Sequence, residues 1–138
     1  MTHEERALLQ ASGAIAADDF STPITAAQLA AHEAQAGALT LADGTGPERS
    51  YRQLDGAAMA EAFRINTIGP ALIAKHLLPL LPRDQRTVFA ALSARVGSIA
   101  DNRLGGWHSY RASKAALNML VRNFAIELAR THREPSVV

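Results

Sequence analysis

The sequence predicts an alternating α/β fold built on a parallel sheet, with a helical N-terminal segment, and three observations carry that expectation. A compact apolar run, "RTVFAALS" at 86–93, is too short for a helix and is bounded by polar residues, as expected of a strand buried on both faces. Stretches with helical periodicity flank it, at about 56–80 and about 108–131. The last residues, "PSVV", look like the start of a further strand. Helix, strand, loop, helix and strand stub is the order of a parallel α/β layer. One full strand cannot make a sheet, so the expectation is that the N-terminal third hides strands or that the domain is incomplete.

Taken in order, Thr2 with Glu5 forms a capping-box pattern ahead of Leu8, Leu9, Ala11 and Ile15, which predicts a short helix over 2–17. "STPITAAQLAAHEAQAG" repeats the signal with Thr25 and Gln28, and Gly37 would end that second helix. "ADGTGPERS", 42–50, reads as an exposed loop and as the boundary between an ill-defined segment, 1–47, and a well-patterned portion, 48–138. From Leu54 a long helix is predicted, with Asp55 as its cap and Pro79 and Pro82 closing it. Gly69 and Pro70 should bend it, because Pro70 has no N–H to offer the carbonyl of Asn66. After the strand, "ARVGSIADNRLGG" is a loop, and the last helix shows Leu117, Leu120, Val121, Phe124 and Leu128 on one face.

Composition narrows the function classes. With 48% hydrophobic and 20% charged residues and a net charge of +1, the 138-residue chain reads as a soluble globular domain with no charge-driven partner, so no nucleic acid is expected. No run reaches the ~18 apolar residues of a membrane span, and the acidic start "MTHEERALLQ" is unlike a signal peptide; the expected compartment is the cytoplasm, away from membranes. There is no cysteine and no His pair at i, i+4, so no metal site is expected.

The chemistry-bearing stretch is "SYRASKAALNML", 109–120. Four residues apart on a helix, Tyr110 and Lys114 face the same way one turn from each other. A phenol titrating near pH ~10 is a poor acid–base group at neutral pH, and a close ammonium favours its phenolate. Taken alone, the pair is weak evidence, common by chance, and reads first as a tyrosine at a core edge beside a solvated lysine.

The wider pattern is more specific. A strand ending in "LSARVG", then "YRASKAALNML" with Tyr110 thirteen residues beyond Gly97, and "RINTIGPAL" 44 residues upstream together resemble the short-chain dehydrogenase/reductase family, in its C-factor-like or carbonyl-reductase-like branch. The resemblance spans about 48–138; residues 1–40 do not match it. It implies an incomplete Rossmann-like, doubly wound parallel sheet, and an NAD- or NADP-dependent oxidoreductase moving hydride between the nicotinamide and a small carbonyl or alcohol substrate. By position it implies that Tyr110 is the acid–base residue and that Lys114 lowers its pKa and holds the nicotinamide ribose. Asn66 would also belong to the cofactor-side site, its carbonyl positioning a water that links Lys114 to solvent; on sequence alone Asn66 is equally the cap of a second short helix. The family's serine lies three residues before the loop glycine, where this chain has Ala94. Ser93 is the expected substitute and Ser98 the alternative, and both could simply satisfy loop backbone. Trp107, His108 and Leu104 flank the site as a substrate wall, as packing or, for His108, as an exposed loop residue.

The family's glycine-rich pyrophosphate turn is not found in residues 1–50, and its Asn-Asn-Ala-Gly stretch is absent ahead of Gly46. The expectation is therefore the catalytic middle of the fold without its cofactor cradle. The resemblance also implies a homo-oligomer through the two long helices, with Ala112, Ala115 and Ala116 allowing close approach and Leu72, Leu77 and Leu120 in contact. The alternative to an enzyme is a truncated, non-catalytic fragment acting in helix-mediated self-association.

Overall fold

The computed structural model describes residues 37–138; the two helices expected over 2–17 and about 22–36 lie outside the described residues. Residues 38–50 run without regular structure to a capping box, in which Gln53 Oε1 accepts from the Ser50 N–H and the Ser50 hydroxyl accepts from Arg52. Asp55 then caps α1, Gly56–Phe63, accepting from the Ala58 N–H at 2.8 Å.

The bent helix predicted over 56–80 forms, and its bend is a turn of π-helix, Arg64–Ile68, where the Gly69 N–H reaches back five residues to the Arg64 carbonyl. The missing Pro70 donor explains why the ladder shifts there. The helix continues as α2, Gly69–Leu77, and ends in a 3₁₀ turn, Leu78–Leu80, that contains Pro79. Asn66 does not cap a second helix: the residue before α2 is Ile68, in helical geometry and without a side-chain cap. The wide turn instead buries Asn66 and Thr67, and the Thr67 hydroxyl donates to the Ser113 carbonyl at 2.8 Å, tying the bend to the last helix.

β1, Arg86–Phe89, is four residues shorter than the run that predicted it, and Val88 on it is 56% exposed. The sheet of the described residues has two strands, so the apolar run is not buried on both faces here, although the Ala91 N–H still donates to the Val138 carbonyl at 2.6 Å. The chain then crosses through a 3₁₀ turn, Arg95–Gly97, and α3, His108–Leu128, to β2, Glu134–Val137. β2 pairs in parallel with β1, Arg86 opposite Glu134 and Phe89 opposite Val137, so the C-terminal stub is a strand and the unit is β–α–β. α3 ends at Leu128 rather than near 131, with short-range bonds from Arg130 and Thr131 to the Glu127 and Leu128 carbonyls.

The core lies between α2, α3 and the strands: Ala74, Leu78, Leu128 and Val137 are buried, with Phe89, Val121 and Phe124 packed on them. Leu117, at 1% exposure, extends the same face of α3 toward its N-terminal half. That packing fixes α3, and with it the register of every side chain the sequence singles out.

Candidate active site

α3 begins abruptly. Gly105 and Gly106 take φ of +66° and +65°, and Trp107 follows in the left-handed region at φ 52°, ψ 41°. A bulky residue holds that conformation only where its surroundings over-determine it. Here the Trp107 N–H donates to the Glu48 carbonyl at 2.5 Å, and Arg111 from the next turn donates to the Gly106 and Val96 carbonyls at 3.1 and 3.3 Å. The Trp107 ring meets Tyr110 edge-on, 6.5 Å between centroids at 70°.

Tyr110 is half-buried and opens into a cavity of about 600 Å³ that Leu39, Leu41, Pro47, Glu48, Ala58 and Trp107 help to line. One turn behind it, Lys114 is 2% exposed; its Nζ donates to the Leu92 carbonyl at 2.9 Å and sits 5.9 Å from the centre of the Tyr110 ring. Lys114 is therefore not a solvated lysine. Burial disfavours its charged form and pushes its pKa below the ordinary lysine value.

Asn66 is fully buried, and both ends of its amide bond the backbone of Ala38: the Ala38 N–H donates to Oδ1 at 2.7 Å and Nδ2 donates to the Ala38 carbonyl at 3.0 Å. Gly37, at φ +151°, lies against the same groups; a Cβ there would fall 2.5 Å from Lys114 Nζ and 3.1 Å from Asn66 Oδ1. Asn66 and Lys114 thus converge on residues 37–38, and Ala38 lines the same cavity as Tyr110. Gly97 plays a similar part on the other side of α3, where a Cβ would come within 2.9 Å of Lys114 Cβ and 3.0 Å of its backbone.

The serines are placed differently. The Ser93 hydroxyl donates to Asn118 Oδ1 at 2.5 Å, and Asn118 is eight residues beyond Tyr110, about 12 Å along the helix axis. The Ser98 hydroxyl accepts from the Asp101 N–H at 3.2 Å. Neither bond brings a serine to the phenol. Trp107 lines the cavity, whereas Leu104 is 90% exposed and does not form a wall. His108 is the half-buried first residue of α3, not an exposed loop residue.

Two contributors escape a reading of the sequence. Gly37 reads there as a helix stop, although Ala36-Gly37 repeats the last two residues of the stretch sought ahead of Gly46. Glu48 sits in what reads as an exposed loop, yet it is half-buried and its carboxylate accepts from the Ser109 hydroxyl and, at 3.2 Å, from the Ser109 N–H. Burial raises the Glu48 pKa, but the Ser109 hydroxyl, backbone N–H groups and nearby His108 outweigh it and leave the carboxyl below its usual range.

The buried ammonium yields a prediction of sign. The unfolded chain holds the Lys114 proton to higher pH than the folded one, so the folded state gains stability as pH rises from the depressed folded value toward the ordinary one. Below that window the burial penalty is complete. Lys114→Met should raise the unfolding midpoint at pH 7, by an amount of about 1 kcal/mol, and flatten the alkaline pH dependence. Thermal denaturation from pH 7 to 10 checks it; a lower midpoint with an unchanged slope would contradict the assignment.

Comparison with known proteins shows the family of the chain. A family model described as Enoyl-(Acyl carrier protein) reductase matches residues 17–133, which carries the kinship upstream into a segment that the sequence motifs leave outside it. The chain is 43% identical over 75 residues to C-signal of Myxococcus xanthus, covering 54% of this chain and 45% of that one. A short-chain dehydrogenase/reductase of Burkholderia multivorans, solved with bound NADP, superposes with a TM-score of 0.55 at 34% identity, over 62% of this chain and 36% of that one. The carbonyl reductase Sniffer of D. melanogaster gives 0.56 at 26% identity, over 62% and 39%. The chain spans less than half the length of each of these relatives. With a tyrosine and lysine one turn apart at the head of the crossover helix and a family match over most of its length, the chain belongs to the short-chain dehydrogenase/reductase family of NAD(P)-using oxidoreductases.

Proposed function

We propose that this chain carries the proton-handling part of an NAD(P)-dependent oxidoreductase site acting on a small carbonyl or alcohol. The observation that carries the proposal is the Tyr110 phenol opening on a cavity with the Lys114 ammonium buried one turn behind it, against its ring. In the direction of reduction the phenol gives its proton to the carbonyl oxygen of the substrate; in oxidation the phenolate takes the alcohol proton. Lys114 sets its Nζ 5.9 Å from the centre of the Tyr110 ring.

The residues fit the nicotinamide end of the cofactor. An ammonium has three donors and Leu92 takes one, which leaves Lys114 able to hold ribose hydroxyls together with Tyr110. When bound, the nicotinamide supplies or accepts the hydride. Asn66 acts by fixing the 37–38 peptide beside Lys114, and its carbonyl in the π turn is offered as the support of a water leading from Lys114. Ser93 serves the substrate oxygen in this reading only after leaving Asn118, with Ser98 as the substitute.

A thermal-shift titration of the full chain with NADPH and with NADH tests the proposal. At one hundred times Kd a bound nucleotide adds about 2.7 kcal/mol, a rise of several degrees. No shift with either, together with concentration-dependent self-association, would instead favour the second reading, helix-mediated assembly. That reading draws on the exposed Ile68, Met119 and Ile126 of the helical layer, while Leu72, Leu77 and Leu120 are half-buried.

A further inference from the structure

We propose that Glu48 is the positioning residue of the candidate acid–base tyrosine, acting across the chain as the cap that α3 does not supply for itself. An α-helix starts with N–H groups that have no partner inside it, and Trp107, the residue before α3, offers no side-chain cap. Glu48 fills that role from 61 residues upstream. Its carboxylate accepts from the Ser109 hydroxyl and from the Ser109 N–H at 3.2 Å, and its own carbonyl accepts from the Trp107 N–H at 2.5 Å. The negative charge also lies at the positive end of the helix dipole, where it is stabilising.

Those contacts bracket Tyr110. Trp107 is locked in a left-handed conformation with its ring in edge contact with Tyr110, and Ser109, the residue immediately before Tyr110, is held by the carboxylate. The loop and the helix start are in close contact as well, since a Cβ on Gly106 would lie 3.5 Å from the Glu48 and Arg49 carbonyls. Glu48 and Tyr110 share one cavity wall, so the loop at 45–49 sets where the phenol points as well as what it faces. The part of this inference that concerns turnover rests on the reading of Tyr110 as the acid–base residue; the part that concerns the helix start does not.

The chain's single tryptophan is Trp107, so its fluorescence reports on the bracket directly. Glu48→Ala should shift Trp107 emission and accelerate hydrogen exchange at the Ser109 amide by about five- to tenfold, with exchange in the α3 core around Leu117 unchanged. Glu48→Gln, which retains one acceptor, should restore most of the protection. With NADPH and a small aldehyde as probes, Glu48→Ala should lower kcat by roughly ten- to a hundredfold while the KM for NADPH stays within about twofold, and Glu48→Gln should recover part of it. Unchanged emission and exchange in Glu48→Ala would overturn the proposal. So would a uniform rise in exchange along α3, which marks general destabilisation. If the local signals move as expected but Tyr110→Phe turns over as fast as the parent, the clamp stands and the catalytic reading fails.

Discussion

Asn66→Ala is expected to destabilise the chain by about 2–4 kcal/mol, because it removes two hydrogen bonds to the half-buried backbone of Ala38 and empties a fully buried side-chain position. The side chain is fully buried, and its amide meets both the N–H and the carbonyl of Ala38. A void would open beside Lys114, whose ammonium already lacks solvent. Gly37 lies in the same place, so the loss would free the 37–38 strand of chain from the π turn and the site from its floor. Asn66→Asp separates the two bonds: it can still accept from the Ala38 N–H but cannot donate to the Ala38 carbonyl, and it sets a carboxylate near Lys114. Its cost should fall between those of Ala and Asn. Urea unfolding of the three chains checks the order, and a loss under about 1 kcal/mol for Asn66→Ala would show that the amide bracket is not what holds this segment.

Much of this architecture is legible in the sequence, for reasons that are local. Asp55 marks a helix start because a carboxylate three residues ahead of an N–H caps it, and Pro70 marks the bend because it lacks a donor; both appear where expected. The Tyr110 and Lys114 spacing is a property of one helix and survives into the structure. What escapes is set by contacts between distant residues. Glu48 looks like loop charge until α3 is laid beside it, 61 positions away. Gly37 looks like a helix stop until Lys114 Nζ is found where its Cβ would be. Ser93 and Ser98 differ by which local partner captures each hydroxyl, Asn118 or the Asp101 N–H, and no spacing rule ranks those. The apolar run at 86–93 predicts a longer, fully buried β1 because such a run records the strands that would cover it, and the described residues provide one neighbour only.

Tyr110→Phe is expected to reduce carbonyl turnover by about 10²–10⁴-fold, the usual worth of a positioned acid–base group, and to leave the fold and nucleotide binding nearly intact. The ring would keep its edge contact with Trp107 and its place beside Lys114 Nζ in the cavity wall, so only the hydroxyl is lost. This separation of effects is the point of the substitution. If the phenol merely sealed a core edge, removing its oxygen would alter stability by a fraction of a kcal/mol and turnover hardly at all. If it is the proton donor, kcat falls while the KM for NADPH and the nucleotide-induced rise in melting temperature change little. Lys114→Met supplies the converse: the folded state should gain stability as the buried charge disappears, while turnover falls because the ammonium donors proposed to hold the nicotinamide ribose are lost. A residue whose removal stabilises the fold and abolishes the reaction is retained for chemistry rather than for packing. Should both variants keep the parent's kcat, the cavity beside Tyr110 does not house the reaction, and the kinship of the chain would then have to be read through its helices alone.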